Sequence, residues 1–175
     1  MLSTEEREKL SGGRILITGG AGFIGFYLTH FLYQYKDELN LERVICLDNY
    51  LMGQPAWQKT FSADKRFVFE KFDIVKDKIE NIPEADAANF VIHMASIASP
   101  TFYRIYPLET VEANVWGLRR LFDFYKDKNL AGFLFFSTSE IYGDPPADKV
   151  PTDENYNGNV SATNFLFGCR KWIPS

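Results

Sequence analysis

Residues 15–25 read Ile15-Leu16-Ile17-Thr18-Gly19-Gly20-Ala21-Gly22-Phe23-Ile24-Gly25, and this stretch decides the fold. An apolar, β-branched run leads into Gly19-x-x-Gly22-x-x-Gly25, which opens a helix. In such a turn one glycine takes backbone angles that a side chain forbids, and another lets the main chain approach a pyrophosphate. The third lets the helix pack tightly on the strand, while free N–H groups of the first helical turn face the anion. A tight strand-to-helix turn can use the same glycines for structure alone, so the flanking sequence has to decide.

That context is favourable. An amphipathic segment runs from Phe23 to about Tyr35, and a second strand, Val44-Ile45-Cys46-Leu47, ends in Asp48. Asp48 lies about twenty residues past Gly25, the spacing at which a carboxylate accepts hydrogen bonds from the two hydroxyls of an adenosine ribose. Its other reading is a plain turn residue. Asn49 follows, with no Arg or Lys beside it to hold a ribose phosphate. The expected cofactor is therefore NAD rather than NADP.

The 175 residues, 46% of them hydrophobic, supply one core and no more. Nineteen basic against 23 acidic residues leave a mildly acidic chain without a basic cluster, which argues against nucleic-acid binding. Cys46 and Cys169 have no metal-ligand spacing and fit a reducing compartment, so no metal site is expected. No signal peptide or membrane-spanning run is evident, which points to a cytoplasmic protein without a membrane partner. Residues 1–11 form a charged lead-in whose short helix would be capped by Ser3 or Thr4.

Strand and helix signals alternate along the rest. Strands are expected at Ile15–Thr18, Arg43–Asp48, Phe67–Phe72, Phe90–Met94 and Phe133–Phe136. Helices are expected at Phe23–Tyr35, briefly at Asp77–Asn81, and at Pro107–Lys126, where apolar residues recur at helical spacing. A polar loop covers Asn49 to about Trp57. Strands separated by helices imply right-handed crossovers, hence an α/β fold with a doubly wound parallel sheet.

Further segments carry a resemblance. They are Phe72-Asp73-Ile74, His93-Met94-Ala95-Ser96, Ala98-Ser99-Pro100 with Tyr103, Pro107-Leu108-Glu109-Thr110 with Asn114 and Gly117, and Ser137-Thr138-Ser139-Glu140-Ile141-Tyr142-Gly143. With the glycine turn, they resemble the extended short-chain dehydrogenase/reductases that act on nucleotide sugars. Within that group the chain is most similar to the UDP-glucuronate decarboxylases and their epimerase relatives. The resemblance covers roughly residues 12–163 and implies a Rossmann-type sheet that is C-terminally incomplete. By the same resemblance, residues 164–175 are expected to form a divergent tail and the substrate domain to be absent.

The resemblance also implies roles. Gly19, Gly22, Phe23, Ile24, Gly25, Asp48, Asn49, Asp73, Ile74, Ala95, Ser96, Ala98 and Asn114 would hold NAD, with Asp73 accepting from the adenine amino group. Asp73 as a helix cap and Asn114 as a structural anchor are the competing readings. Ser99, Pro100 and Tyr103 would meet the sugar nucleotide, Tyr103 from a loop over the substrate. Thr138 would hydrogen-bond the sugar C4 oxygen, beside Ser139 and Glu140. Ser-Glu resembles the decarboxylase version, in which the carboxyl group assists loss of carbon dioxide or reprotonation; an exposed loop acid is the plainer reading of Glu140. His93 is assigned no chemistry.

The family's catalytic Tyr, with a Lys four residues later, has no counterpart. No Tyr here has a Lys at that spacing, Val160 follows Tyr156, and Phe167 precedes Lys171. Such a chain is expected to be inactive alone, and the break after Thr163 reads as a truncation or a slipped frame. Relatives form homodimers through a four-helix bundle. With one bundle helix missing, part of the face set by Leu118, Leu121, Phe122 and Tyr125 is expected to lack cover and the dimer to be compromised.

Overall fold

The computed structural model describes residues 2–156. Helix α1 (Thr4–Leu10) is capped by Ser3, whose hydroxyl accepts from the Glu6 N–H while the Glu6 carboxylate accepts from the Ser3 N–H. Strands β1 (Arg14–Thr18), β2 (Arg43–Asp48), β3 (Phe67–Lys71), β4 (Phe90–His93) and β5 (Gly132–Phe135) follow the expected positions to within a residue at either end. Helix α2 (Phe23–Tyr35) matches its expected span. A short α3 (Gln58–Phe61) closes the loop after β2, and only a single 3-10 turn, Ile79–Asn81, forms where a short helix was expected before Pro83.

The described residues divide into two compact units, residues 2–95 with 117–136, and residues 96–116 with 137–156. In the first, all five described strands are parallel, in the order β3-β2-β1-β4-β5. Chain order reverses at β1, so the ends of β1, β2 and β4 lie at a topological switch point, where open α/β sheets bind ligands.

Both faces of the central strands are buried, which explains their near-continuous apolar sequence. On one face Ile15, Ile17, Val44, Cys46 and Phe67 pack with Leu32 of α2 and Phe61 of α3. Residues of the other parity, Leu16, Ile45, Leu47 and Val91, are equally buried. Helix α6 (Leu118–Tyr125) serves this second face: Phe122 lies 4.7 Å, ring to ring, from Phe133 of β5. Gly117 sits against Ile74, where a Cβ would stand 2.8 Å from Cγ1.

The second unit holds α4 (Pro100–Ile105), α5 (Pro107–Val111) and a π-helical turn, Glu112–Gly117, whose last residue belongs to the first unit. One expectation is corrected here: Pro107–Lys126 is not one regular helix. The π turn interrupts it after Val111, and a shift of register over a single turn leaves the apolar spacing nearly intact, so periodicity misses it. A second correction concerns the uncovered face. Leu121 and Tyr125 are buried within the first unit, and only Phe122 remains exposed on one side.

Tyr125 donates its hydroxyl to the Ala85 carbonyl at 2.7 Å, fully buried. Tyr125→Phe removes this bond, while the carbonyl keeps the Ala88 N–H at 3.2 Å, and is expected to destabilise the first unit by about 0.5–1.5 kcal/mol. Urea unfolding would measure this; an unchanged midpoint would show the bond to be dispensable.

Candidate cofactor site

The glycine turn is built by steric exclusion. Gly19 has φ +74°, and a Cβ on it would stand 2.7 Å from both the Ala95 nitrogen and the Met94 carbonyl carbon. Gly25 is tighter still, with 2.4 Å from a built Cβ to the Gly20 oxygen, which is how α2 comes down onto the turn. Gly20 lies outside the triplet but is equally constrained, with only 2.9 Å to Cys46 Cβ. The N–H groups of Gly19 and Gly20 both donate to the Leu47 carbonyl, at 2.8 and 3.2 Å, tying the turn to β2.

Gly22 is the N-cap of α2 and brings no side chain to cap it; the first turn carries no acidic residue. The first backbone bond of the helix runs from the Phe26 N–H to the Gly22 carbonyl at 3.0 Å. Phe23, Ile24 and Gly25 therefore stand ahead of the helical ladder, and the positive end of the helix dipole is uncompensated. The Phe23 side chain is 80% exposed, so only its backbone suits a role inside a pocket.

Asp48 closes the other side. Its Oδ2 accepts from the Ala21 N–H at 2.9 Å and its Oδ1 from the Tyr50 N–H at 2.8 Å. Each carboxylate oxygen keeps a second lone pair for a hydroxyl donor. Asn49 turns its side-chain oxygen to the Leu51 N–H at 3.0 Å, and Tyr50 has φ +58°. Ala21 and Tyr50 act through backbone groups, which no spacing of residue types in the sequence marks.

Asp73 makes the contacts of a cap. Its Oδ1 accepts from the N–H groups of Val75 and Lys76 at 3.0 and 3.3 Å, and Lys76 Nζ lies 3.7 Å from Oδ2. It caps the turn after β3. Ile74 is buried against Gly117. The buried Cys46 thiol, its pKa pushed up to about 12 by desolvation, offers no thiolate.

Ser96, Ala98, Ser99, Pro100, Tyr103, Asn114 and residues 138–140 belong to the second unit. Tyr103 lies in α4 rather than in a loop, because Pro100 at the helix start and the Ser99 carbonyl, accepting from Phe102 and Tyr103, set up a helical turn. Asn114 sits in the π turn, and its buried amide nitrogen has no hydrogen-bond partner among the described residues. After β5, Ser139–Tyr142 forms a 3-10 turn with the half-buried Thr138 just before it. The divergent tail lies outside the described residues. Among those described, no His, Cys, Asp or Glu cluster could hold a metal, and no helix is long and apolar enough to cross a membrane.

A glycine turn feeding an uncapped helix, with an acid clamped at the end of the neighbouring parallel strand, defines a dinucleotide-binding α/β domain. The chain belongs to the NAD dependent epimerase/dehydratase family, which matches residues 15–173. UDP-glucuronic acid decarboxylase 6 of Arabidopsis thaliana is 37% identical over 151 residues, covering 86% of this chain and 40% of that protein. UDP-glucuronic acid decarboxylase 1 of Danio rerio is 32% identical over 148 residues, 85% of this chain and 32% of the relative. The chain thus spans well under half the length of either.

Among solved structures, the UDP-glucuronic acid 4-epimerase from Bacillus cereus, in complex with NAD, superposes with a TM-score of 0.60 at 27% identity, over 76% of this chain and 42% of that one. Epimerase Mth375 from Methanothermobacter thermautotrophicus reaches 0.70 at 22% identity, over 95% and 47%, a likeness of fold.

His93, 1% exposed, reports on this region. Burial lowers its pKa from 6.5 to about 4. The unfolded chain takes up a proton near pH 6.5 and the folded chain only near 4. The difference stabilises the fold fully above about pH 6.5 and is lost as pH falls toward 4. Urea unfolding across that window should lose about 3 kcal/mol from this group, and His93→Asn should remove that part of the slope. A slope identical in the two proteins would refute it.

Proposed function

We propose that this chain is the NAD-binding portion of a nucleotide-sugar decarboxylase of the UDP-glucuronate type. The observation that carries the cofactor part is the Asp48 carboxylate, held by the Ala21 and Tyr50 N–H groups beside the uncapped start of α2. Its remaining lone pairs suit the two ribose hydroxyls, and its charge opposes a ribose phosphate. The backbone of Gly22, Phe23 and Ile24 would face the pyrophosphate, and Ala95 the ribose on the nicotinamide side.

When bound, NAD supplies a hydride acceptor for sugar C4 and returns the hydride, so it is not consumed. Thr138 would hold the C4 oxygen, and Ser139 and Glu140 would serve the carboxylate-bearing end of the sugar, with Ser99, Pro100 and Tyr103 binding the substrate. The decarboxylase relatives and the Ser139-Glu140 pair support this reading over a 4-epimerase or dehydratase. The missing Tyr-x-x-x-Lys pair favours a second conclusion: by itself this polypeptide binds cofactor without turnover. Lacking the base removes a factor of about 10²–10⁴. A family-type homodimer that is compromised in this chain, and a cytoplasmic location, belong to the same proposal.

Calorimetry should find NAD bound more tightly than NADP, with Asp48→Ala weakening NAD by about 1.5–3 kcal/mol. Equal affinity for the two dinucleotides would count against Asp48. Incubation with UDP-glucuronate and NAD should release no carbon dioxide above the buffer rate; release abolished by Thr138→Val would overturn the inactive reading.

A further inference from the structure

We propose that His93 is a positioning residue for the cofactor site, its bare Nδ1 taking the Thr18 hydroxyl proton so that a Thr18 lone pair meets the Ala95 N–H. The inference rests on reading the glycine turn as the NAD site. Thr18 and His93 are register partners in the β1–β4 pair, so their side chains leave the same face of the sheet. Thr18 Oγ1 lies 2.6 Å from His93 Nδ1 and 3.4 Å from the Ala95 nitrogen. The amide can only donate, so it takes an oxygen lone pair. Among the described residues the hydroxyl hydrogen has Nδ1 as the one acceptor bonded to Oγ1 and is assigned there, with Nδ1 bare and the ring hydrogen on Nε2.

That Nε2 is buried without a hydrogen-bond partner among the described residues. The ring therefore leaves one buried polar group unsatisfied, a cost that an apolar residue of similar size would not carry. What the ring supplies in return is the acceptor at Nδ1. The ring stacks on that of Phe135, with centroids 5.7 Å apart. Burial alone lowers the His93 pKa, with no charged group acting on it, and keeps the ring neutral as this arrangement needs.

The consequence reaches the site because β4 and the glycine turn meet backbone to backbone. Gly19 leaves no room for a Cβ against Met94 and Ala95. The Met94 N–H donates to the Thr18 carbonyl at 3.0 Å, so His93, through Thr18, sets the residue just beyond that bond. A drift of Ala95 would push directly on Gly19, the residue whose positive φ shapes the turn.

The chain has two histidines, so ¹⁵N-labelled imidazole resonances can be assigned with His30→Gln. At neutral pH His93 should show the tautomer protonated on Nε2; protonation on Nδ1 would overturn the proposal. Two variants then separate the acceptor from the bulk. His93→Leu removes the acceptor, whereas His93→Asn returns a carbonyl oxygen near the place of Nδ1. Amide exchange at Ala95 should quicken in His93→Leu and recover in His93→Asn, and NAD affinity should fall about tenfold and recover in parallel, the scale of one hydrogen bond. Wild-type exchange and affinity in His93→Leu would sink the inference. If wild-type protein binds no NAD, the cofactor reading fails, while tautomer and exchange still decide the role of His93. Should His93→Leu not fold, Thr18→Val removes the hydroxyl from the other side and is read by the same exchange measurement.

Discussion

Room for a side chain is what the C-terminal edge of this sheet lacks, and most of the structure follows from it. At Gly19, Gly20 and Gly25 a single methyl group would collide with Ala95, Cys46 and the Gly20 carbonyl respectively. Three segments, the ends of β1 and β4 and the start of α2, are thereby brought together through their main chains. Backbone N–H groups, rather than side chains, then line the crevice. An anionic ligand gains most from such a surface, because the donors are fixed in advance and the helix dipole adds to them.

Polar side chains at this edge are arranged to hold the backbone in place. Asp48 grips Ala21 and Tyr50, and Thr18 joins His93 to Ala95. Asp73 caps the turn after β3. None of these side chains is idle before a ligand arrives, and Asp48 combines a structural clamp with lone pairs left over for a donor. The opposite edge is treated differently: Arg14 and Arg43 share Glu84, at 3.2 and 2.5 Å, in a surface ion-pair group that serves the sheet alone.

Much of this was legible beforehand. Five strands and α2 stood out because strands buried on both faces must be almost wholly apolar, and a helix feeding off a glycine turn must be amphipathic. Asp48 was legible from its distance to Gly25. The capping role of Asp73 was not, since a carboxylate after a strand serves equally as a cap or a ligand contact, and only the positions of the Val75 and Lys76 amides show the cap. Tyr103 was expected in a loop because Pro100 and Pro107 bracket a segment too short to show a period. The π turn around Asn114 escaped for a related reason: one residue of register shift barely disturbs a hydrophobic pattern.

By itself the sequence determined the parallel α/β class, the glycine turn and the acid at the end of β2. These are matters of local spacing and residue type, and spacing along a chain survives any tertiary arrangement. Tertiary structure alone decided that Gly20 is as constrained as the motif glycines, that Leu121 and Tyr125 belong to the core, and that His93 engages Thr18. Each depends on which atoms of distant segments meet, His93 and Thr18 being 75 residues apart in sequence. Contacts of that kind are set by sheet register and helix packing, and no pattern within either segment encodes them.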